Sequence, residues 1–251
     1  MKISIITVVL NGVHTIARNL ESIASQRNLH RDIEHIVIDG GSSDGTLEFL
    51  RQHQDQIQIL VSEPDNGLYD AMNKGIRLAT GDIIGILNAD DYYANYHVLS
   101  DIDQIFTSMK VDAVFGDLEY FHQRREFIPI RRYRSSHFHP SKLSKGLMPA
   151  HPTLFLRKSV YERFGLFKPE YKIAGDFDFV ARIFKDGLLK YIYVPRILTR
   201  MQSGGVSTRG LKSTILLNQE ILSSCCENGI STNLFKLLSR YPKKFLEYVY
   251  K

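Results

Sequence analysis

Two adjacent carboxylates, Asp90 and Asp91, follow the apolar run Ile83-Ile84-Gly85-Ile86 by way of Leu87-Asn88-Ala89. A run this short, bounded by Gly81-Asp82, predicts a buried strand. The two acids then stand at a strand end, where an open α/β sheet presents its ligand crevice. Carboxylate oxygens in that place suit Mg²⁺ or Mn²⁺ carrying a diphosphate. Asp residues also cap turns readily, so the tetrad alone is equally a strand-to-turn cap.

Other residues at predicted element ends widen the choice of chemistry. The first strand closes on Thr7-Val8-Val9-Leu10-Asn11, which brings polar groups to the same crevice. The second closes on Asp39, followed by Gly40-Gly41-Ser42-Ser43-Asp44-Gly45-Thr46. A carboxylate there accepts hydrogen bonds from a nucleobase or ribose, and glycines let backbone approach closely. Asp44 reads instead as the cap of the helix after it. Pro64-Asp65-Asn66-Gly67 is a turn by its chemistry, and the helix after it can face a phosphate with its N-terminus. Asp70, Asn73 and Lys74 share that helix's polar face, which taken alone describes a solvated surface. In Gly175-Asp176-Phe177-Asp178, Asp176 could take a proton from an acceptor hydroxyl. Locally, a helix cap with Asp178 in the first turn explains the same residues better. His151, ahead of Pro152, reads first as a structural hydrogen-bonding residue.

The elements that must position these groups alternate. Strands are predicted at residues 3–10, 34–39, 57–62 and 83–86, with helices at 17–26, 46–53 and 69–79 between them. Such alternation argues for an α/β fold with a mostly parallel sheet and helices on both faces. A strand at 111–116 and extended, hairpin-like chain over 117–133 follow, the latter carrying Arg124, Arg125, Arg131 and Arg132, with Arg134 next to it. A strand is expected at 151–156 and helices at 158–164 and 177–185, with helical periodicity from 211 to 251. The composition shift at Ser203-Gly204-Gly205 marks a boundary, giving one domain over 1–205 and a helical C-terminal appendage over 206–251.

The chain has 251 residues, 43% hydrophobic and 24% charged, which is ordinary globular usage. No apolar run is long enough to cross a bilayer. The apolar start lacks a small-residue cleavage site and ends on Asn11-Gly12, so it reads as a core strand and not a secretion signal. The only cysteines, Cys225 and Cys226, are adjacent and offer no disulfide framework or zinc spacing, which fits a cytoplasmic protein. A net charge of +5 permits anionic partners without selecting one.

Taken in order, Ile5-Ile6-Thr7-Val8-Val9-Leu10-Asn11, Ile38-Asp39-Gly40-Gly41-Ser42-Ser43-Asp44-Gly45-Thr46, Leu87-Asn88-Ala89-Asp90-Asp91 and Gly175-Asp176-Phe177-Asp178 resemble the inverting glycosyltransferases of family 2. The segment from Glu63 to Gly75 resembles bacterial members that build exopolysaccharide, capsule or O-antigen units. The resemblance covers roughly residues 1–205. It implies a GT-A type nucleotide-diphospho-sugar transferase fold and a metal-dependent transfer from a nucleotide-diphosphate sugar, UDP favoured, to a saccharide or lipid-linked acceptor. By position it implies that Thr7 and Asn11 line the nucleotide pocket and Asp39 meets the uracil or ribose. It further implies that Asp90 and Asp91 form the Mn²⁺ or Mg²⁺ motif and that Asp176 is the catalytic base. Asn88 stands where members often carry a further acid, which leaves open whether Asp90 or Asp91 is the direct ligand. Lys74 and Arg200 are the basic residues expected on the donor, with Arg209 a second candidate beside the Gly- and Ser-rich segment 202–208.

The basic, aromatic stretch from Leu234 to Lys251 fits either packing on the protein's own core or contact with the inner face of an anionic cell membrane. Two rival classes fit less well. A sugar nucleotidyltransferase calls for a Gly-rich basic loop after its first strand, which Asn11-Gly12-Val13-His14 is not. A nucleic-acid-binding module leaves Asp39, Asp90, Asp91 and Asp176 without a purpose, because carboxylates repel phosphate. No nucleic-acid partner is expected.

Overall fold

Strand β1 (Ile3–Val9) is buried along its whole length, because both of its faces meet apolar layers. The computed structural model describes residues 1–27, 33–122, 125–204 and 210–241. After β1 come α1 (Ile16–Ala24), β2 (Ile33–Asp39), α2 (Thr46–Gln52), β3 (Ile59–Ser62), α3 (Leu68–Leu78) and β4 (Ile83–Ile86). Next are β5 (Tyr92–Tyr93), α4 (Val98–Ser108), β6 (Ala113–His122), β7 (Arg125–Tyr133) and β8 (Phe155–Arg157). Then follow α5 (Lys158–Phe164), α6 (Gly175–Phe184), β9 (Tyr191–Gln202), α7 (Leu211–Glu227) and α8 (Leu234–Leu238).

The strands form one mixed sheet in the order β3-β2-β1-β4-β8-β6-β9-β5, with β7 paired to β6. β1, β2, β3, β4, β6 and β9 share one direction, and β5, β7 and β8 run against them. Alternate strand residues serve opposite faces. Ile6, Ile36, Ile38, Ile84 and Ile86 pack against Met72 and Ile76 of α3 and share a core with α5 to α8. Ile3, Ile5 and Ile83 meet Leu99, Ile102 and Phe106 of α4, while Val9 and Val37 meet Leu20 of α1 and Leu50 of α2.

Three sequence expectations change. Residues 151–156 are not one strand: His151–Thr153 is a 3-10 turn and pairing starts only at Phe155, since Pro152 has no N–H for a ladder. The helical C-terminus is broken between α7 and α8 near Gly229, whose φ is +70°, and residues 242–251 lie outside the described chain. Strand β9, unassigned from sequence, completes the far half of the sheet, and helix α4, also unassigned, packs on the sheet through Leu99, Ile102 and Phe106. Helices α7 and α8, read as an appendage, bury Ile221, Cys225 and Leu237 in the core shared with Phe177 and Phe179 of α6. Among the described residues no helix is long and apolar enough to cross a membrane.

Candidate active site

Because these strands are parallel, their carboxyl ends gather on one edge. Asn11 follows β1, Asp39 ends β2, Ser62 ends β3, Asn88 to Asp91 follow β4, and Gln202 ends β9. The chain leaves β1 through β2 and β3 on one side and returns as β4 on the other. That reversal opens a crevice between neighbouring strands.

The acidic turn is built by a buried asparagine. Asn19, on the inner face of α1, donates from Nδ2 to the carbonyls of Asn88 (2.9 Å) and Asp91 (3.0 Å), and its Oδ1 accepts from the Thr7 hydroxyl at 3.1 Å. Asp91 is 1% exposed, yet neither oxygen of its carboxylate has a hydrogen-bond partner. Asn88 Oδ1 and Gln202 Oε1 are buried and unpartnered as well. β5 brings these groups together by pairing with β9, Tyr92 opposite Arg200. Burial pushes the Asp91 carboxyl well up and the Asp90 charge adds to this, while Gln202, Asn88 and Arg18 pull the other way without closing a bond to its oxygens. Asp90 is also raised by burial, against its own backbone and Arg18. The Arg18 guanidinium lies 4.6 Å from the ring centres of both Tyr92 and Phe121.

Unpaired buried acceptors are costly unless something supplies positive charge or a donor. Oxygens alone, with a carboxylate among them, are what Mg²⁺ and Mn²⁺ accept, so this corner fits such an ion. Among the described residues no group of three or more His, Cys, Asp and Glu surrounds a common point. Mg²⁺ commonly takes only one or two protein carboxylates and completes its shell with phosphate and water.

The loop after β2 is firmly braced. Asp39 is fully buried and accepts from the hydroxyls of Ser42 and Ser62 and the Ser42 amide, so it shapes the Gly40–Ser43 loop. Asn11, at φ +52°, accepts from the Ser43 amide at 2.9 Å, and its own amide donates to the Ser42 hydroxyl. Thr7 does not line an open pocket as expected: it is fully buried, with its hydroxyl between Asn19 and His35. Asp44 is not the cap of α2, which is Gly45, but it lies one residue before that cap and accepts the Thr46 amide of the first turn. Lys74 is held by Glu63 (2.8 Å) and the Pro64 carbonyl (2.9 Å), which ties it to the turn before α3. Arg200 donates to Glu119 at 3.0 Å across the β6–β9 ladder. Arg209 and residues 205–208 lie outside the described chain.

Asp176 lies in the first turn of α6, not at its cap, which is Ala174. Its Oδ1 accepts the Phe177 amide at 2.7 Å and lies 3.4 Å from the Tyr69 hydroxyl. Burial raises its carboxyl, and His151, the Phe177 amide and Tyr69 oppose that rise. His151 packs edge-on to Phe167, which stacks on Tyr69, and burial lowers its imidazole while Asp176 raises it. Tyr69 itself is buried, and its hydroxyl donates to the Ile173 carbonyl at 2.8 Å. Asp178 lies elsewhere: fully buried, it meets Arg182, Lys168 and Ser224.

Sequence reasoning missed Asn19, Arg18, Gln202 and Tyr69, and kept His151 in second place. Asn19 carried a signal, because it falls between Ile16, Leu20 and Ile23 on a helix face that is otherwise apolar. Gln202 carried none while β9 was unassigned.

Comparisons with known proteins bear on the fold and the family. Residues 4–164 match the family model described as Glycosyl transferase family 2. An uncharacterized glycosyltransferase of Mycobacterium tuberculosis is 32% identical over 184 residues, which cover 72% of this chain and 68% of the relative. A PGL/p-HBAD biosynthesis glycosyltransferase of Mycobacterium bovis is 28% identical over 246 residues, 96% of this chain and 91% of the relative. S. aureus TarS 1-349 in complex with UDP-GlcNAc superposes with a TM-score of 0.68 at 16% identity, covering 89% of this chain and 66% of that one. The mannosyltransferase PcManGT from Pyrobaculum calidifontis, in complex with GDP-Man and Mn²⁺, gives 0.66 at 21% identity, covering 92% and 65%. The structural likenesses establish a GT-A type fold, and the family match and the mycobacterial relatives show that the chain belongs to glycosyltransferase family 2.

Proposed function

We propose that this protein transfers a sugar, with inversion, from a nucleotide-diphosphate donor to a hydroxyl of a saccharide or lipid-linked saccharide in surface-polysaccharide synthesis. The observation that carries the reading is Asp91, a buried carboxylate with both oxygens unpartnered at the carboxyl edge of the sheet. Asp91 is the direct ligand of Mn²⁺ or Mg²⁺, with Asp90 beside it and the Asn88 and Gln202 oxygens available to the same ion. When bound, such an ion offsets negative charge on the leaving diphosphate. TarS with UDP-GlcNAc and PcManGT with GDP-Man and Mn²⁺ support a nucleotide-sugar donor, and the resemblance favours UDP.

Asp176 is the base. Its carboxylate takes the proton of the acceptor hydroxyl as that oxygen bonds the anomeric carbon. The bond from that carbon to the diphosphate oxygen breaks, and the electron pair leaves with the nucleoside diphosphate. Attack opposite to the leaving group inverts configuration. Asp39, Asn11 and the Gly40–Ser43 loop form the nucleobase and ribose wall, and Lys74 and Arg200 border the donor. Turnover of UDP-GlcNAc and GDP-mannose with Mn²⁺, followed as nucleoside diphosphate release, tests this. Asp176→Asn is expected to lower it by about 10²-fold or more, and undiminished turnover would overturn the assignment.

The exposed Leu234, Phe235 and Leu238 of α8, together with Leu211 and Ile215 of α7, accompany Lys212 and Lys236. Apolar side chains mixed with lysines suit an anionic membrane surface carrying a lipid-linked acceptor. Phe235→Glu is expected to reduce co-sedimentation with phosphatidylglycerol vesicles, and unchanged co-sedimentation would remove this part of the proposal.

A further inference from the structure

The loop that delivers Asp176 is gripped by a residue from the C-terminal helices. Glu220 of α7 accepts three consecutive backbone N–H groups: Lys172 on Oε1 at 2.8 Å, and Ile173 and Ala174 on Oε2 at 2.9 and 2.7 Å. Successive amides turned to one point form an anion-binding nest, and here the anion is a side chain of the protein itself. Ala174 is the cap residue of α6, and Asp176 follows two residues later. Glu220 therefore fixes the backbone from which the carboxylate projects, while the Tyr69 hydroxyl holds the Ile173 carbonyl of the same loop.

Helix α7 is itself anchored. Ile221 and Cys225 are buried in the main core, and the Ser224 hydroxyl and Asn228 amide each donate to the buried Asp178 at 3.1 Å. Asp178 is further held by Arg182 at 3.1 Å and Lys168 at 3.4 Å. The grip on residues 172–174 thus comes from a rigid element.

We propose that Glu220 is a positioning residue for Asp176, and that the C-terminal helix α7 is part of the machinery that aligns the base. This rests on Asp176 being the base. Charge-assisted bonds from a carboxylate to amides are strong and directional. An amide in its place can keep only one of its two arms as an acceptor. In Glu220→Gln the NH₂ group faces an N–H of the loop, donor against donor, and the loop relaxes. A base displaced by about 1 Å costs roughly 10²-fold in rate, whereas donor binding is made elsewhere on the sheet edge.

The test uses the full chain with Mn²⁺ and UDP-GlcNAc or GDP-mannose, whichever binds more tightly, water or added acceptor taking the sugar. Glu220→Gln is expected to lower nucleoside diphosphate release by about 10²-fold, with nucleotide Kd within about twofold and amide-exchange protection lost at Ile173 and Ala174. Glu34→Gln, which weakens the bonds to Lys2, Ser4 and Thr80 at the amino edge of the sheet and touches neither α7 nor the loop, is expected to lower the melting temperature and leave turnover within about twofold. Should Glu220→Gln fail to fold, Glu220→Asp keeps the charge on a shorter stem, with a smaller loss of turnover expected at unchanged Kd. Turnover unchanged in the Glu220 variants while protection is lost would overturn the proposal, as would an equal loss in Glu34→Gln. Asp176→Asn with wild-type turnover would instead overturn the base assignment, and the exchange data would still report the grip of Glu220.

Discussion

The Tyr69 hydroxyl stands 3.4 Å from Asp176 Oδ1 and 2.8 Å from the Ile173 carbonyl to which it donates. One side chain at the start of α3 thus reads both the loop before α6 and the carboxylate within it. Gly175 makes the approach feasible, because a Cβ there would lie 2.6 Å from Tyr69 Cε2. Gly175→Ala is expected to push the ring away, cost about 1–3 kcal/mol of stability by overpacking, and lower turnover by about tenfold or more. Thermal melts and nucleoside diphosphate release measure both effects.

A pH profile reads the same contact. Burial raises the Asp176 carboxyl, and the Tyr69 hydroxyl acts to lower it. A base works when deprotonated, so turnover falls as pH drops through the Asp176 pKa. Tyr69→Phe removes a lowering influence, and the acid limb of kcat/KM is expected to move to higher pH. A limb that stays in place or moves to lower pH contradicts this.

Asn19 should matter more than its place outside every recognised motif suggests. Replacing it by alanine leaves the Asn88 and Asp91 carbonyls and the Thr7 hydroxyl short of a partner in a buried region. The expected cost is about 2–3 kcal/mol, together with a loss of Mn²⁺ affinity of roughly 10–100-fold, the scale of outer-shell effects. Melting curves and calorimetric metal titration report the two quantities separately. A variant with normal Mn²⁺ affinity would show that the turn holds its shape unaided.

At the opposite edge of the sheet, Glu34 supplies a control that concerns stability alone. Lys2, Ser4 and Thr80 bond its carboxylate, and although burial raises its pKa, these bonds lower it from 4.5 to about 2. A depressed pKa means the folded state prefers the charged form. The stabilisation is therefore present above pH 4.5 and lost as pH falls toward 2. Because the Lys2 side chain is 39% exposed and water screens the pair, its size is about 1 kcal/mol. Glu34→Gln is expected to flatten the acid limb of urea-unfolding stability and leave turnover at neutral pH unchanged.

The first half of the fold was legible because its signals are local. Buried strands such as β1 and β4 are short apolar runs, and Asp39, Asp90 and Asp91 stand at their ends. The family resemblance added Asp176, which local pattern read as a cap, and the structure places it in the first turn of α6, two residues after the cap. What escaped depends on distant chain. β9 contains Pro195, Arg196 and Arg200 and reads poorly as a strand, yet pairing with β6 over its length fixes it, and Gln202 was lost with it. The three amides on Glu220 are 46 to 48 residues away in sequence, a separation no spacing rule covers. Thr7 was expected in the pocket because it precedes a crevice, but the period of two turns it toward α1.

The most direct measurement is calorimetric titration of the protein and of Asp91→Asn with UDP, GDP and dTDP, each with and without Mn²⁺. The expected result is metal-dependent binding of one nucleotide to the native protein, weakened by about 10²-fold or more in Asp91→Asn. A nucleotide that binds both proteins equally, with or without the metal, would contradict the assignment of Asp91 as the ligand of a diphosphate-carrying ion.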